Sequence, residues 1–525
     1  MRYQYKFEIF PKMPFLFLIL LVFPAFFLYG GENSILRNIR LIALPEINVL
    51  KEGKNLQSVD HLMEMAFVLS GTENESIEYY IDRFFEIIRE FKESQDDLSD
   101  LKRVAENMLT YLHEHVFKKY NEKQTKLDVL LDTGVFNCVS SAVLYSIALS
   151  SFGIDVSGVR TIDHAFCTVK IGDTKYDVET TNLYGFDPGS KKDFVNEFGD
   201  ITGFNYVPPG HYSKRQNIDK LQLISLILHN RITDLYERNQ YFDALGLAVD
   251  LYYLLEDDES HETFIGAIQN IGAYINNTGL YTEGLECFDA IVKQYPDDIK
   301  IVKVYQSLYH NYIVKLIDGK SYDKALMTCE QAFSRLILTE TDYRDFIVII
   351  FTNQANEIAR TSYPQALAFL EQAFEKIGAD KRLVSAQVSY FNNHIVDLLK
   401  QKKIEQADEL VEGSYKSSFL NKIDYNKFKG YVVLEQGSAI ALEQGYLQAA
   451  RFLESALKSI GPNSNISQNI SIYLRNYEVT IHNQAIGLYQ EDKIQEAVTL
   501  LEQALVEYPD SKQLRKDLEK IRPYL

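Results

Sequence analysis

Seven times between residues 241 and 497 the chain sets a bulky residue, two residues of any kind and then a small one: Tyr241-x-x-Ala244, Tyr281-x-x-Gly284, Tyr322-x-x-Ala325, Tyr363-x-x-Ala366, Ile404-x-x-Ala407, Tyr446-x-x-Ala449 and Ile494-x-x-Ala497. Successive starts lie 40, 41, 41, 41, 42 and 48 residues apart. Self-similarity at a nearly fixed period marks a stack of equivalent units, each of which buries its apolar side only against its neighbours. Each anchor opens a stretch with helical spacing, as in Ala325 to Phe333, and the small residue lets a second helix approach closely. Breakers follow several of these stretches, at Tyr295-Pro296, Gly461-Pro462 and Tyr508-Pro509. Residues 217–525 are therefore expected to form an all-α solenoid, with Cys287 and Cys329 in helix cores and the polar segment Lys512 to Arg522 capping the end. A concave face of such an array suits a protein or peptide partner. The alternative is a scaffold that holds the preceding domain away from a membrane.

A different pattern precedes the array. Cys138 to Ser151 is helical and apolar nearly all round, through Val139, Ala142, Val143, Leu144, Ile147, Ala148 and Leu149, which predicts a buried helix ended by Gly153. Cys138 opens that helix. There the unpaired N–H groups and the helix dipole favour negative charge on sulfur, and the same N–H groups can hold an oxyanion. Val156–Ile162 and Asp163–Lys170 read as strands, Gly172-Asp173 as a tight turn, and Lys175–Thr180 as the returning strand. A two-residue turn pairs Lys170 with Lys175, so Phe166 faces Glu179 and His164 faces Thr181. Glu179 is then the diagonal neighbour of His164, and Asp177 lies one pair further away. A slip of one residue would move both acids to the opposite face. A thiol, a base and an acid that orients the base make up a nucleophilic triad. Its members here are Cys138, His164 and Glu179, with Asp177 as the other acid. The bland reading makes Cys138 an inert thiol and His164 a structural residue. Cys167 faces away from His164 and reads as core; Asn137 reads as a turn residue before the helix, or as an oxyanion donor.

The motifs GVFNCVSSAVLY, DHAFCTV and DVETTN, in that order, resemble the transglutaminase-like branch of the papain-like fold. More narrowly, they look like bacterial transglutaminase-like domains fused to tetratricopeptide repeats. The resemblance covers roughly Leu98 to Tyr212. Matched by position, it implies Cys138 as nucleophile, His164 as base and Glu179 as the acid, with Glu where Asp is usual and with no Trp in the chain. It implies amide chemistry on protein or peptidoglycan, by hydrolysis or by acyl transfer. The forty-residue units look like lengthened tetratricopeptide repeats, whose usual period is about 34. The expected fold class is an α+β transglutaminase-like (papain-like) domain, residues 33–216, followed by an all-α tetratricopeptide-type solenoid, residues 217–525. The alternative is a non-catalytic repeat scaffold with a degenerate domain of the same fold.

Residues 1–32 complete the plan. Arg2, Lys6 and Lys12 precede an uncharged run from Met13 to Gly31, the pattern of a signal peptide or a membrane anchor. The run reaches the roughly 20 residues that cross a bilayer. Its basic flank places the chain after Glu32 on the extracytoplasmic (periplasmic) side. Between Ser58 and Tyr120 three amphipathic helices are expected, with Ser58 and Ser99 as caps and His113 and His115 as solvated helix-end residues. Asn182 to Gly203 reads as a loop bordering the site, with His211 beyond it. Lys plus Arg is 54 against 73 for Asp plus Glu, a net charge of −19. That balance, without a basic run, argues against nucleic acid as a partner. Four widely spaced cysteines without a Cys-x-x-Cys pair argue against a disulfide framework or zinc, and no cofactor is expected.

Overall fold

A computed structural model describes residues 39–52, 58–188 and 214–525. The expected leader or anchor, most of the loop 182–203 and His211 lie outside the described residues. Among the described residues no helix is long and apolar enough to cross a membrane. The chain divides into two compact units: one runs to Lys315 and adds Ser334–Ile337, the other takes Leu316–Phe333 and Leu338–Leu525.

The first unit opens with helices α1 (Pro45–Glu52), α2 (Val59–Ser70), α3 (Asn74–Glu93) and α4 (Leu101–His115). Ser58 occupies the cap position of α2 but makes no side-chain cap bond. At α4 the cap is Asp100 rather than Ser99: its carboxylate accepts from the N–H groups of Lys102 and Arg103. A charged acceptor at a helix start gains from the dipole as well as from the hydrogen bonds. After strand β1 (Lys119–Tyr120), helix α5 (Leu127–Thr133) and strand β2 (Val135–Phe136) comes α6 (Cys138–Ser150). Every residue of α6 from Val139 to Leu149 is buried, as its unbroken apolar surface requires. It lies among α2, α4, α5 and the four-stranded sheet.

That sheet consists of β3 (Asp155–Arg160), β4 (Ala165–Ile171), β5 (Thr174–Val178) and β6 (Gln216–Ile218), in the order β5-β4-β3-β6 and antiparallel throughout. Gly172, at φ +58°, and Asp173 make the two-residue turn, and Lys170 pairs with Lys175. The expected domain boundary at 216/217 does not coincide with a break in packing. Gln216 and Asn217 are both in β6, and the next helix, α7 (Lys220–Glu237), packs on α2, α6 and β3. Its run Leu223–Leu228 is buried, so α7 serves the α+β domain and the first repeat together.

The repeats of the first unit continue with α8 (Tyr241–Leu255), α9 (Asp258–Thr278), α10 (Tyr281–Gln294) and α11 (Ile299–Asp318). In the second unit the helices are α12 (Tyr322–Ser334), α13 (Glu340–Ala359), α14 (Tyr363–Ile377), α15 (Lys381–Lys400), α16 (Ile404–Lys416), α17 (Lys422–Glu443), α18 (Tyr446–Ile460), α19 (Ser464–Gln490), α20 (Ile494–Glu507) and the terminal α21 (Lys512–Ile521). Each sequence anchor is the first residue of a helix, and each small partner is buried. At Gly284 an added Cβ would lie 2.6 Å from Ile275, which shows how closely α9 and α10 approach. A left-handed residue two positions before the anchor recurs at Asn239, Gly279, Lys320, Lys402 and Asp492 and turns the chain between helices. In the second unit α13 touches α15, α15 touches α17, and α17 touches α19. The unit is thus a helical repeat array built from hairpins of a long helix and a short one.

The segment before α2 is bound to the repeats of its own unit. The Arg40 guanidinium grips Asp250 on α8 with two bonds of 2.6 Å, and the Leu44 N–H adds a third at 2.9 Å. Gly246 leaves room for that guanidinium, since a Cβ there would stand 2.7 Å from it. Lys51 donates to the Tyr253 carbonyl, and Gln294 on α10 donates to that of Leu41.

Candidate active site

The local sequence fixes the start of α6 with some force. Asn137 caps it through a reciprocal box: its Oδ1 accepts from the Ser140 N–H, and Ser140 Oγ accepts from the Asn137 N–H, both at 2.9 Å. Its Nδ2 donates to the Glu122 carbonyl, and Asn137 serves as the cap of α6. The next residue is Cys138. Of the four cysteines it alone is not buried. Burial pushes the Cys167 thiol well up and holds those of Cys287 and Cys329 up at about 12. Cys167 donates to the Ala142 carbonyl and is core.

His164 precedes β4 by one residue, and its carbonyl is held by the Thr161 N–H at 2.9 Å. Its Nε2–H donates to Glu179 Oε2 at 2.6 Å. With Nε2 on the carboxylate, Nδ1 is the ring nitrogen left for a second partner, and Cys138 is near enough to raise the imidazole. Burial works against the imidazolium, but Glu179, through its charge and its hydrogen bond, and Cys138 together outweigh it and hold His164 well above the ordinary histidine value. Burial likewise works against the Glu179 carboxylate, and there His164 and Thr181 prevail and lower it. The two shifts agree on one state, an imidazolium beside a carboxylate.

The motif Glu179-Thr180-Thr181 acts residue by residue. Thr181 donates to Glu179 Oε1 from its hydroxyl at 2.7 Å and from its N–H at 3.2 Å, so both carboxylate oxygens are engaged. Thr180 Oγ1 meets Ser141 Oγ on α6 at 2.9 Å and ties the hairpin to the helix that carries the thiol. The Thr180 carbonyl accepts from His113 Nε2–H at 3.1 Å. Beyond Thr181 the chain folds straight back: the Glu179 N–H donates to the Gly185 carbonyl at 2.8 Å, and the Asp187 N–H to that of Asp177 at 2.9 Å.

Counting pairs from the turn therefore puts Glu179 where its carboxylate lies, although the ladder stops at Cys167–Val178, short of His164. Val178 bridges to Phe186 instead. Asp177 is not brought to His164. It accepts from Thr168 Oγ1 at 2.8 Å and from Arg215 at 2.6 and 2.9 Å, and those partners lower its carboxyl against the effect of burial.

Two residues near the site escape the sequence argument. His113, expected in solvent, is half-buried against Phe117 and Phe136, and burial lowers its pKa. The signal was present: His113 stands four residues after Leu109, on the buried stripe of α4. His115 is exposed and rests on Tyr111. Tyr120, in the two-residue β1, stands edge-on to Phe136, and burial first and then the nearby Cys138 raise its phenol; it has no sequence signal.

A partly exposed thiol at a helix start, an imidazolium and a carboxylate in line can support nucleophilic acyl chemistry. Among the described residues no group of three or more His, Cys, Asp and Glu could hold a metal ion. No family model matches the chain, and no curated protein matches it. A solved structure that does match is the crystal structure of the P58(IPK) TPR domain, 13% identical, covering 58% of this chain and 82% of that one. Its TM-score is 0.17, too low to bear on the fold.

Proposed function

We propose that this chain is a thiol enzyme of transglutaminase-like type that cleaves or transfers an amide bond in protein or peptidoglycan. Residues 217–525 act as tetratricopeptide-type repeats that recruit substrate or partner, and residues 1–32 tether the chain on the extracytoplasmic side. The observation that carries the reading is the 2.6 Å contact of His164 with Glu179, on a histidine that the nearby Cys138 also raises. With the thiol's proton held on His164, the Cys138 sulfur bonds to the carbonyl carbon, and the C=O pair moves to oxygen. As that pair returns, the amine leaves with the proton from His164, and a thioester remains. Water or a second amine then attacks the thioester, giving its proton to His164 and freeing the thiol. Which acceptor is used sets hydrolysis apart from transfer.

The test uses the full chain and p-nitrophenyl acetate as acyl probe. A burst of p-nitrophenol and an acetyl group mapped by mass spectrometry to Cys138 are the expected results. Acetylation elsewhere, or none, leaves the reading of a repeat scaffold with a silent domain.

Gly185→Ala examines the same site from a distance. A Cβ on Gly185 would stand 2.0 Å from the Glu179 carbonyl oxygen, so the backbone under the acid must move. Displacements of about 1 Å at such sites cost about 10²-fold in rate. A burst rate within a factor of about two of wild type would show that the loop carries no positional information.

A further inference from the structure

Thr180, the residue after the acid, is fully buried, and two helices hold it. Its hydroxyl meets Ser141 Oγ on α6 at 2.9 Å. Ser141 spends its own hydrogen on the Cys138 carbonyl at 3.3 Å, so Thr180 is the donor of that pair, and the line ends on the residue that carries the thiol. The Thr180 carbonyl accepts from His113 Nε2–H on α4 at 3.1 Å. Among the described residues no backbone N–H reaches that oxygen. The Thr180 carbonyl and the Thr181 N–H belong to one peptide group. That group is planar and trans, so its C=O and N–H point in opposite directions. His113 takes the oxygen, and the N–H goes to Glu179 Oε1 at 3.2 Å. The imidazole of His113 and the carboxylate of Glu179 therefore grip opposite edges of one rigid plate. His113 is itself seated: its ring stands edge-on to Phe117 at 5.1 Å and to Phe136 at 5.9 Å, and Phe136 lies two residues before Cys138. Burial lowers its pKa, so the ring is neutral near pH 7; a carbonyl only accepts, which puts the one ring proton on Nε2.

We infer that His113 is a positioning residue for Glu179 and acts through the peptide between Thr180 and Thr181. The inference rests on the thiol chemistry proposed above. A buried carbonyl needs a donor, and His113 supplies it in the orientation of the peptide that also turns the Thr181 N–H to the acid. Without that donor the oxygen is buried and unpaired, and the peptide gains by rotating toward another partner. The rotation carries the Thr181 N–H away from Glu179. Glu179 aims the imidazole of His164 through the 2.6 Å contact, so an acid moved off its mark misplaces the base that holds the thiol's proton.

Three substitutions in the full chain separate this role from packing. The acyl probe is p-nitrophenyl acetate: sulfur adds, p-nitrophenolate leaves, and acetyl stays on Cys138. In His113→Gln the amide nitrogen reaches the place of Nε2; in His113→Asn it stops near that of Nδ1; in His113→Leu there is no donor. The Leu and Asn variants are expected to acylate Cys138 about 10²-fold more slowly than wild type, and the Gln variant within about fivefold of it. Packing on Phe117 and Phe136 alone would give the reverse order, with Leu ahead of Gln. That order would overturn the inference, and so would three variants of equal rate. Alkylation of buried Cys167 by iodoacetamide, mapped in the same sample, reports any unfolded fraction, and rates are compared for the protected population. Should His113→Leu not fold, Asn against Gln decides alone. A wild-type chain whose Cys138 takes iodoacetamide but never acetyl removes the proposed function itself and this role with it; a wild type that acylates no faster than His113→Asn removes this role alone.

Discussion

Glu179→Gln is expected to lower acylation of Cys138 by about 10³- to 10⁴-fold while leaving the fold intact, the order of loss seen when the acid of a nucleophilic triad becomes an amide. The side chains are nearly the same size, and Thr181 can still donate to the remaining oxygen. What is lost is the charge. In the native site burial lowers His164, and Glu179 together with Cys138 overcomes it. Without it burial is less opposed, the imidazole holds its proton less firmly, and the departing amine is less readily protonated. The alkaline limb of the acylation profile should accordingly move to lower pH.

Stability should respond to pH with a definite sign. His164 is raised in the folded state, so its contribution is complete below the ordinary value of 6.5 and fades as pH climbs through the folded value. Glu179 is lowered, so its contribution is complete above the ordinary value of 4.5 and fades as pH falls through the folded value. The pair therefore contributes most between those two values, and the variant should lose that maximum in a series of urea titrations. A pH profile of stability with the same shape in both proteins would remove the ion pair from the account.

Arg40→Ala carries the largest expected cost to folding, about 3–5 kcal/mol, because it strips a buried carboxylate of its partner. The Asp250 side chain is 1% exposed and that of Arg40 26%, so water can reach the arginine but not the acid. Burial already raises the Asp250 carboxyl in spite of the guanidinium, so without Arg40 the acid escapes its penalty by taking a proton. A raised carboxyl makes the fold relatively more stable as pH falls. The loss should be smaller at pH 5 than at pH 8, and Asp250→Asn in the Arg40→Ala background should recover part of it. Denaturant unfolding measures both. A loss below about 1 kcal/mol at pH 8 would place the contact with ordinary surface pairs.

What could be read before the coordinates were known divides along physical lines. Repeats are legible because each unit states the same packing problem again: Tyr241, Tyr281, Tyr322, Tyr363, Ile404, Tyr446 and Ile494 all begin helices. The long period is explained by the first helix of each unit, about twenty residues in α9, α11, α13 and α15. The 48-residue step falls where α19 extends to 27. Strand register is legible from a two-residue turn, and it brings Glu179 to His164. Tyr120 is not legible, because a two-residue parallel strand has no period to detect. The boundary at 216/217 is not legible for the opposite reason: α7 has a repeat-like pattern and is spent partly on the sheet. Asp177 and Glu179 share a face by alternation; register sets Glu179 nearer His164, and Thr168 together with Arg215, distant in sequence, engages Asp177.

In the second unit each helical hairpin leans chiefly on the one before and the one after it. A gene that duplicates or drops a forty-residue module there makes or breaks one junction and leaves every other junction, and the packing around Cys138, as it was. Recombination can therefore vary the copy number of these helical modules without renegotiating the packing around Cys138, and selection can act on the two at separate tempos.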